Sequence, residues 1–419
     1  MPNYDIHFPP LYEWQQDVFD EIKASEGRNL TICLKSKRQI GKSILCIVAA
    51  LYFGFKNEGS IGYIVEPTLS QSRRVFKQMV KALGGEGSEV IKSSNSTLLE
   101  LELFNGSQII FKSAEQREAL RGATVKNSIL IIDEAAYIED DIFFILDPIV
   151  DATKSLTLIV STPLFLSGQF YERYKLGMEG NKFVKSFNWS DPKYDQSELL
   201  SPEKLEYYRE NMAPLKFRSE ILGEFIEEGS YIFGDIGRCV DDRAAAKSEP
   251  VYGGIDWGAG DGGNSTVLTL ISKDRTVKEC LRWKDFDSVD LIDVISEEIL
   301  KRGLTRVQVE KNSIGKVFLD MLKRKLPAGM LKVFVTTNES KREIIEELIK
   351  AFQKGTITIP DDPVLRKQLQ HYAQEKTKTG YTYNGADGVE DDYVMSLAFA
   401  YDLCPKVDKP AGKFTVSFA

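Results

Sequence analysis

Histidine is nearly missing from this sequence: His7 and His371 are the only two in 419 residues. That excludes a histidine-rich metal site and leaves a Ser-His-Asp hydrolase only two candidate bases. The five cysteines, Cys33, Cys46, Cys239, Cys280 and Cys404, are odd in number and never form a CxxC pair. They read as buried thiols of a reduced, intracellular protein rather than a disulfide framework or zinc site. No apolar run reaches the roughly 18 residues of a membrane span. The start, Met1-Pro2-Asn3-Tyr4-Asp5, lacks the basic and apolar regions of a signal peptide, so no membrane partner is expected. An excess of positive charge is absent too: 54 Lys+Arg against 62 Asp+Glu give a net charge of -8. Bulk coating of nucleic acid is thereby disfavoured, but contact through local basic patches is not. What is present is a globular balance of 42% hydrophobic and 28% charged residues, long enough for two or three domains.

Strands and helices alternate through the first half. Leu30 to Lys35 reads as a strand and Ile40 to Phe55 as a helix. Ile61 to Glu66 and Ser70 to Leu83 repeat that order. Asn105-Gly106 predicts a hairpin between Leu98–Phe104 and Ser107–Lys112. Ser128 to Ile132 and Leu156 to Ser161 are unbroken aliphatic strands, which implies a mostly parallel sheet covered on both faces. From 167 to 249 the pattern loosens, and Arg243 to Pro250 reads as a hinge. Three strands follow, Val251–Trp257, Thr266–Ser272 and Val277–Trp283, and then alternating helix and strand up to a last helix, Tyr393–Leu403. That is the order of a ribonuclease H-like fold. The expected division is a P-loop ATPase domain over 1–201, a linker over 202–249, a nuclease domain over 250–405 and a tail over 406–419. The fold class is α/β throughout.

Two constellations carry chemistry. Ser36-Lys37-Arg38-Gln39-Ile40-Gly41-Lys42-Ser43 lies between a strand and a helix, where a phosphate loop belongs. There Gly41 lets amide groups close on phosphate oxygens, Lys42 supplies a point charge and Ser43 can ligate Mg²⁺. Ile129-Leu130-Ile131-Ile132-Asp133-Glu134 has the Walker B pattern, with Asp133 for the Mg²⁺ shell and Glu134 for the attacking water. Thr162, after the next strand, occupies a place suited to sensing the γ-phosphate. Arg38, inside the loop, could add charge to the same phosphate. In the second half Asp256 ends a strand beside the Gly258–Gly263 loop, which contains Asp261. Glu310 ends another strand, and Asp391 and Asp392 open the last helix. Converging, these acids could hold two divalent cations; all-oxygen ligands suit Mg²⁺ or Mn²⁺.

Together these residues resemble the large subunit of tailed-bacteriophage terminases, and the resemblance covers nearly the whole chain. Leu11-Tyr12-Glu13-Trp14-Gln15-Gln16 is similar to that family's adenine-contacting motif, with Gln15 as the contact. Arg38 to Ser43 matches its variant phosphate loop, which often lacks the early glycine and so accounts for Ser36. Leu120-Arg121-Gly122 lies where similar proteins carry Arg-Gly, which implies a trans-acting arginine finger at Arg121. Gly168-Gln169-Phe170-Tyr171-Glu172 follows Thr162-Pro163 as in family members. Glu390 stands where relatives frequently have histidine. The resemblance implies ATP-driven translocation of viral double-stranded DNA into procapsids and metal-dependent cutting of concatemers. It also implies a portal protein and a small terminase subunit as partners, and a homo-oligomeric ring on the portal. The implied location is the cytoplasm of the bacterial host, transiently on the procapsid and not in the mature virion. A repair or recombination helicase-nuclease, and a motor with an inactive nuclease, share the same motifs.

Overall fold

The computed structural model describes residues 10–85, 87–194, 199–258, 265–284, 288–311, 315–377 and 380–405. His7, Asp261 and the tail 406–419 lie outside them. The described residues divide into two compact units, those of 1–228 and 376–381 in one and those of 229–375 and 382–405 in the other. The segment 202–249, read as a linker, is thus shared between the units. Nor is Arg243 to Pro250 a plain hinge. Its alanines favour a helical turn, which the Asp241 carboxylate caps by accepting from the Arg243 and Ala244 amides.

In the first unit, α1 (Glu13–Ala24) precedes β1 (Thr31–Lys35), α2 (Lys42–Lys56), β2 (Ile61–Glu66) and α3 (Leu69–Ala82). Then come β3 (Ile91–Asn95), β4 (Glu100–Leu103), β5 (Gln108–Ser113), α4 (Arg117–Arg121), β6 (Ile129–Asp133) and α5 (Asp140–Thr153). The unit continues with β7 (Leu156–Ser161), α6 (Gln169–Met178), β8 (Val184–Asn188), α7 (Pro202–Asn211) and α8 (Pro214–Lys216), which runs into a π-helical turn, Phe217–Leu222. Its sheet has the order β3-β4-β5-β2-β6-β7-β1-β8. From β5 to β8 every pairing is parallel, and only β3-β4 and the hairpin β4-β5 are antiparallel. Every residue of β6 and β7 is buried. The pleat sends Ile129 and Ile131 into a core with α2 and α3, and Leu130 and Ile132 into another with α5 and α6. This alternation is why both strands read as continuous aliphatic runs. Strand β8 escaped the sequence reading because it lies at the sheet's edge and is largely half-buried, so it lacks an apolar signature.

The second unit begins with α9 (Asp242–Lys247), β9 (Tyr252–Asp256), β10 (Thr266–Ile271), β11 (Val277–Trp283), α10 (Ser288–Lys301), β12 (Arg306–Glu310) and α11 (Gly315–Lys325). It ends with β13 (Leu331–Phe334), α12 (Asn338–Lys354), α13 (Pro363–Gln370), the hairpin β14 (Tyr372–Thr377) and β15 (Gly380–Gly385) apart from its residues 376–381, and α14 (Asp392–Tyr401). Its main sheet runs β11-β10-β9-β12-β13, with β9 antiparallel to β10 and parallel to β12. This is the expected ribonuclease H-like order. Helix α14 is buried from Asp392 to Ala400 and presses on β9 at Gly254, where a methyl group would stand 2.1 Å from the Ser396 carbonyl oxygen. Only glycine tolerates that approach, and through it the N-terminus of α14 is brought to the end of β9.

Candidate functional sites

Four adjacent parallel strands of the first unit, β2, β6, β7 and β1, end on the same side of the sheet, the side where ligands bind in parallel α/β folds. Their ends supply Glu66, Asp133 with Glu134, Ser161 with Thr162, and the loop 36–43. The loop turns through left-handed backbone at Gln39 (φ 60°) and Gly41 (φ 92°). Lys42 Nζ donates to Thr162 Oγ1 at 2.6 Å and to the Lys37 carbonyl at 3.3 Å, and it stands 3.3 Å from Glu134 Oε1. Ser43 Oγ donates to Asp133 Oδ2 at 3.3 Å. The Glu134 amide donates to Asp133 Oδ1 at 2.8 Å, with Glu134 itself held in the left-handed region at φ 48°. Such strain in a non-glycine residue is typical of functional sites. Burial and then the Glu134 charge push the Asp133 carboxyl up to about 6, so a cation there would relieve a real electrostatic cost.

The remaining residues of this constellation divide by where their side chains go. Gln15 is buried; its amide nitrogen donates to the Gly41 carbonyl at 2.9 Å, and its carbonyl accepts from the Tyr12 amide at 2.8 Å. Both ends of the side chain are therefore engaged by backbone, and the residue braces the phosphate loop. Ile40 is core, Ser36 is fully buried, and Lys37 turns away to the Leu199 carbonyl over the Trp189 ring. These three offer backbone, not side chains, to a ligand. Arg38 is exposed and contacts both Glu220 oxygens at 3.2 Å. Arg121, the last residue of α4, is 63% exposed and pairs with Glu118 at 3.1 Å, a link weak enough to exchange.

Glu66 was not singled out from sequence, although it ends an aliphatic strand just as Asp133 does. It is 1% exposed and its Oε1 has no hydrogen-bond partner among the described residues. Burial, and then the charges of Asp133 and Glu134, push its carboxyl from 4.5 up to about 9. The folded chain therefore keeps this proton where the unfolded chain has released it, and its contribution to stability falls as pH rises through that window. Glu66→Gln should match the wild-type Tm near pH 4.5 and exceed it increasingly toward pH 9. Nucleotide-free thermal melts across pH check this; a difference that stays flat with pH would mean that Glu66 is ionised in the fold.

In the second unit Asp256 and Glu310 end the parallel neighbours β9 and β12, while Asp391 occupies the N-cap position of α14, its side chain making no capping bond, and Asp392 begins the helix. Asp256 is 9% exposed. Burial, followed by the charges of Asp391, Glu310 and Asp392, holds its carboxyl well above the usual range. Asp392 Oδ2 accepts from the Ser265 amide at 3.1 Å, and burial pushes this carboxyl up to about 6. Glu390 pairs with Arg282 at 2.9 Å, and the Arg282 Nε donates to Ser265 Oγ at 2.7 Å. Among the described residues no three His, Cys, Asp or Glu side chains already form a metal-holding cluster. The donor set nonetheless fits a hard divalent cation: it is all oxygen, acidic and mutually repelling.

A chain that joins a P-loop NTPase domain to a ribonuclease H-like domain is what these two sites and folds define. Residues 32–235 match the family described as terminase large subunit, T4likevirus-type, N-terminal. The chain is 26% identical over 431 residues to the terminase large subunit of Thermus phage G20c, covering 91% of this chain and 85% of that protein. Its fold is similar to that of the large terminase from a thermophilic bacteriophage, with a TM-score of 0.65 at 16% identity, over 94% of this chain and 99% of that one. A second structure of the same bacteriophage protein, in complex with ATP-γ-S, gives a TM-score of 0.61 at 15% identity, over 93% and 98% of the two chains. The chain is thus similar to terminase large subunits along nearly its whole length. No helix among the described residues is long and apolar enough to cross a membrane.

Proposed function

We propose that this chain is an ATP-driven motor that moves viral double-stranded DNA into procapsids and a metal-dependent endonuclease that cuts the concatemer. The observation that carries the motor reading is the Lys42 ammonium, held between Thr162 and Glu134 at the mouth of the phosphate loop. Lys42 would bind the β- and γ-phosphates of ATP, and the amides of 36–43 would surround them. Ser43 and Asp133 would hold Mg²⁺, which when bound supplies positive charge to the phosphate oxygens. Glu134 would orient the attacking water, Thr162 would report the γ-phosphate to β7, and Arg38 or a neighbour's Arg121 would stabilise charge developing on it. The complex of the thermophilic bacteriophage's large terminase with ATP-γ-S supports the nucleotide assignment.

In the nuclease site Asp256, Glu310, Asp391 and Asp392 would hold Mg²⁺ or Mn²⁺; such cations, when bound, stabilise the oxygens of a phosphodiester during displacement. A portal protein, a small terminase subunit and a ring of identical subunits complete the proposed assembly, in the cytoplasm of the bacterial host. The test is DNase protection: procapsids, DNA and this protein should yield ATP-dependent protected DNA, and no protection with wild-type protein that is visibly hydrolysing ATP would sink the packaging reading. DNA processing that proceeds equally without procapsids would favour a repair helicase-nuclease instead.

A further inference from the structure

One lysine stands amid the acids of the second unit. Lys341, in the first turn of α12, is 14% exposed in its side chain, and its Nζ lies 3.2 Å from Asp391 Oδ2. The same ammonium donates to Asn384 Oδ1 at 2.8 Å, and the Asn384 amide in turn donates to Glu375 Oε2 at 2.6 Å. The Tyr372 hydroxyl approaches the same Asp391 oxygen at 3.5 Å. Lys341 is therefore held by neighbours on the hairpin and at the start of α14, rather than trailing from the surface.

We infer that Lys341 is the resident counter-cation of the acidic cluster, a positioning residue whose ammonium occupies a place that a divalent metal would take beside Asp391. The inference rests on the metal-nuclease reading of this cluster. Its basis is the distribution of charge. Asp256 lies in the field of three other carboxylates, Asp391, Glu310 and Asp392, and Arg282 is committed to Glu390 and Ser265. Lys341 touches Asp391 directly, and its charge is also felt at Asp256. An ammonium and a divalent cation compete for the negative charge of the same carboxylate, and at close range the two positive charges repel. Metal entering beside Asp391 would therefore work against the charge of Lys341. The lysine thus keeps the empty cluster folded against its own repulsion and sets a concentration threshold for metal entry.

Mn²⁺ binding to the full chain without nucleotide, followed by calorimetry and by the Mn²⁺-induced rise in Tm, tests this. Asp256→Asn serves as the blank that isolates the nuclease site. Lys341→Met and Lys341→Gln should bind Mn²⁺ about tenfold more tightly than wild type, the scale of one lost charge-assisted contact. Their Tm should also rise more on adding metal. Lys341→Arg, which keeps the charge, should stay near wild type. Weaker binding in folded Met and Gln variants overturns the inference, because Lys341 would then be arranging the acids for metal. Unchanged binding overturns it as well, since the ammonium would then lie off the metal's place. If wild-type protein shows no Mn²⁺ binding that Asp256→Asn removes, the metal-nuclease reading itself fails, an outcome separate from the other two.

Discussion

Asp256→Asn should lose DNA cutting by at least about a hundredfold, the scale expected when a charge central to transition-state stabilisation is removed. ATP hydrolysis should remain close to wild type. The carboxyl ends a central strand, is buried, and is crowded by three other acids, so its charge is the one a cation would most relieve. Asparagine keeps the shape and removes that charge. The phosphate loop is built from residues of the other compact unit, and nothing in its geometry depends on Asp256. Plasmid linearisation with Mn²⁺, run beside phosphate release from ATP, measures both activities on one preparation. Wild-type cutting by Asp256→Asn would mean that the acids were misassigned. A parallel loss of ATP hydrolysis would mean that the substitution damaged the fold.

The second large effect concerns the trigger of hydrolysis. An arginine that reaches the γ-phosphate is worth roughly 10³–10⁵ in rate, and two are candidates. Arg38 belongs to the loop but is drawn aside to Glu220. Arg121 is exposed, and its partner Glu118 is more exposed still, so little energy opposes its transfer to a neighbour's nucleotide. Arg121→Ala keeps an intact pocket and donates no finger; Glu134→Gln cannot hydrolyse ATP and still donates one. Each alone should be nearly inactive, and mixed assemblies should recover part of the ATPase rate. The measurement requires conditions where rings form, such as procapsids with DNA. Recovery absent from demonstrably mixed rings would rule out the trans role and leave Arg38 in cis.

Much of the first site was legible because each of its parts is a short local segment that announces itself. The loop 36–43 follows a strand, and Asp133-Glu134 follows an aliphatic run that β6 makes continuous by burying both faces. Glu66 carried the same signal, an acid ending an apolar strand, but it lacked a motif around it. What could not be read was side-chain direction. Lys37, Ile40 and Gln15 sit in or beside the loop, yet one turns to the Leu199 carbonyl, one joins the core and one braces Gly41. Those outcomes depend on residues more than a hundred positions away in one case and on local packing in the others.

The second site divides in the same way. The sequence by itself determined that Asp256 and Glu310 end strands and that Asp391 and Asp392 open a helix, since strand period, helix start and residue type are local properties. Only the tertiary structure decided that these acids become neighbours, because that requires β9 and β12 to pair in parallel and α14 to press on Gly254. It also decided that Lys341 would join them. A lysine at the start of an amphipathic helix ordinarily points to water, and no spacing rule connects it with an aspartate at a different helix's cap. Its ammonium reaches Asp391 because the fold gathers negative charge there, and a partly buried cation is the least costly neighbour for it.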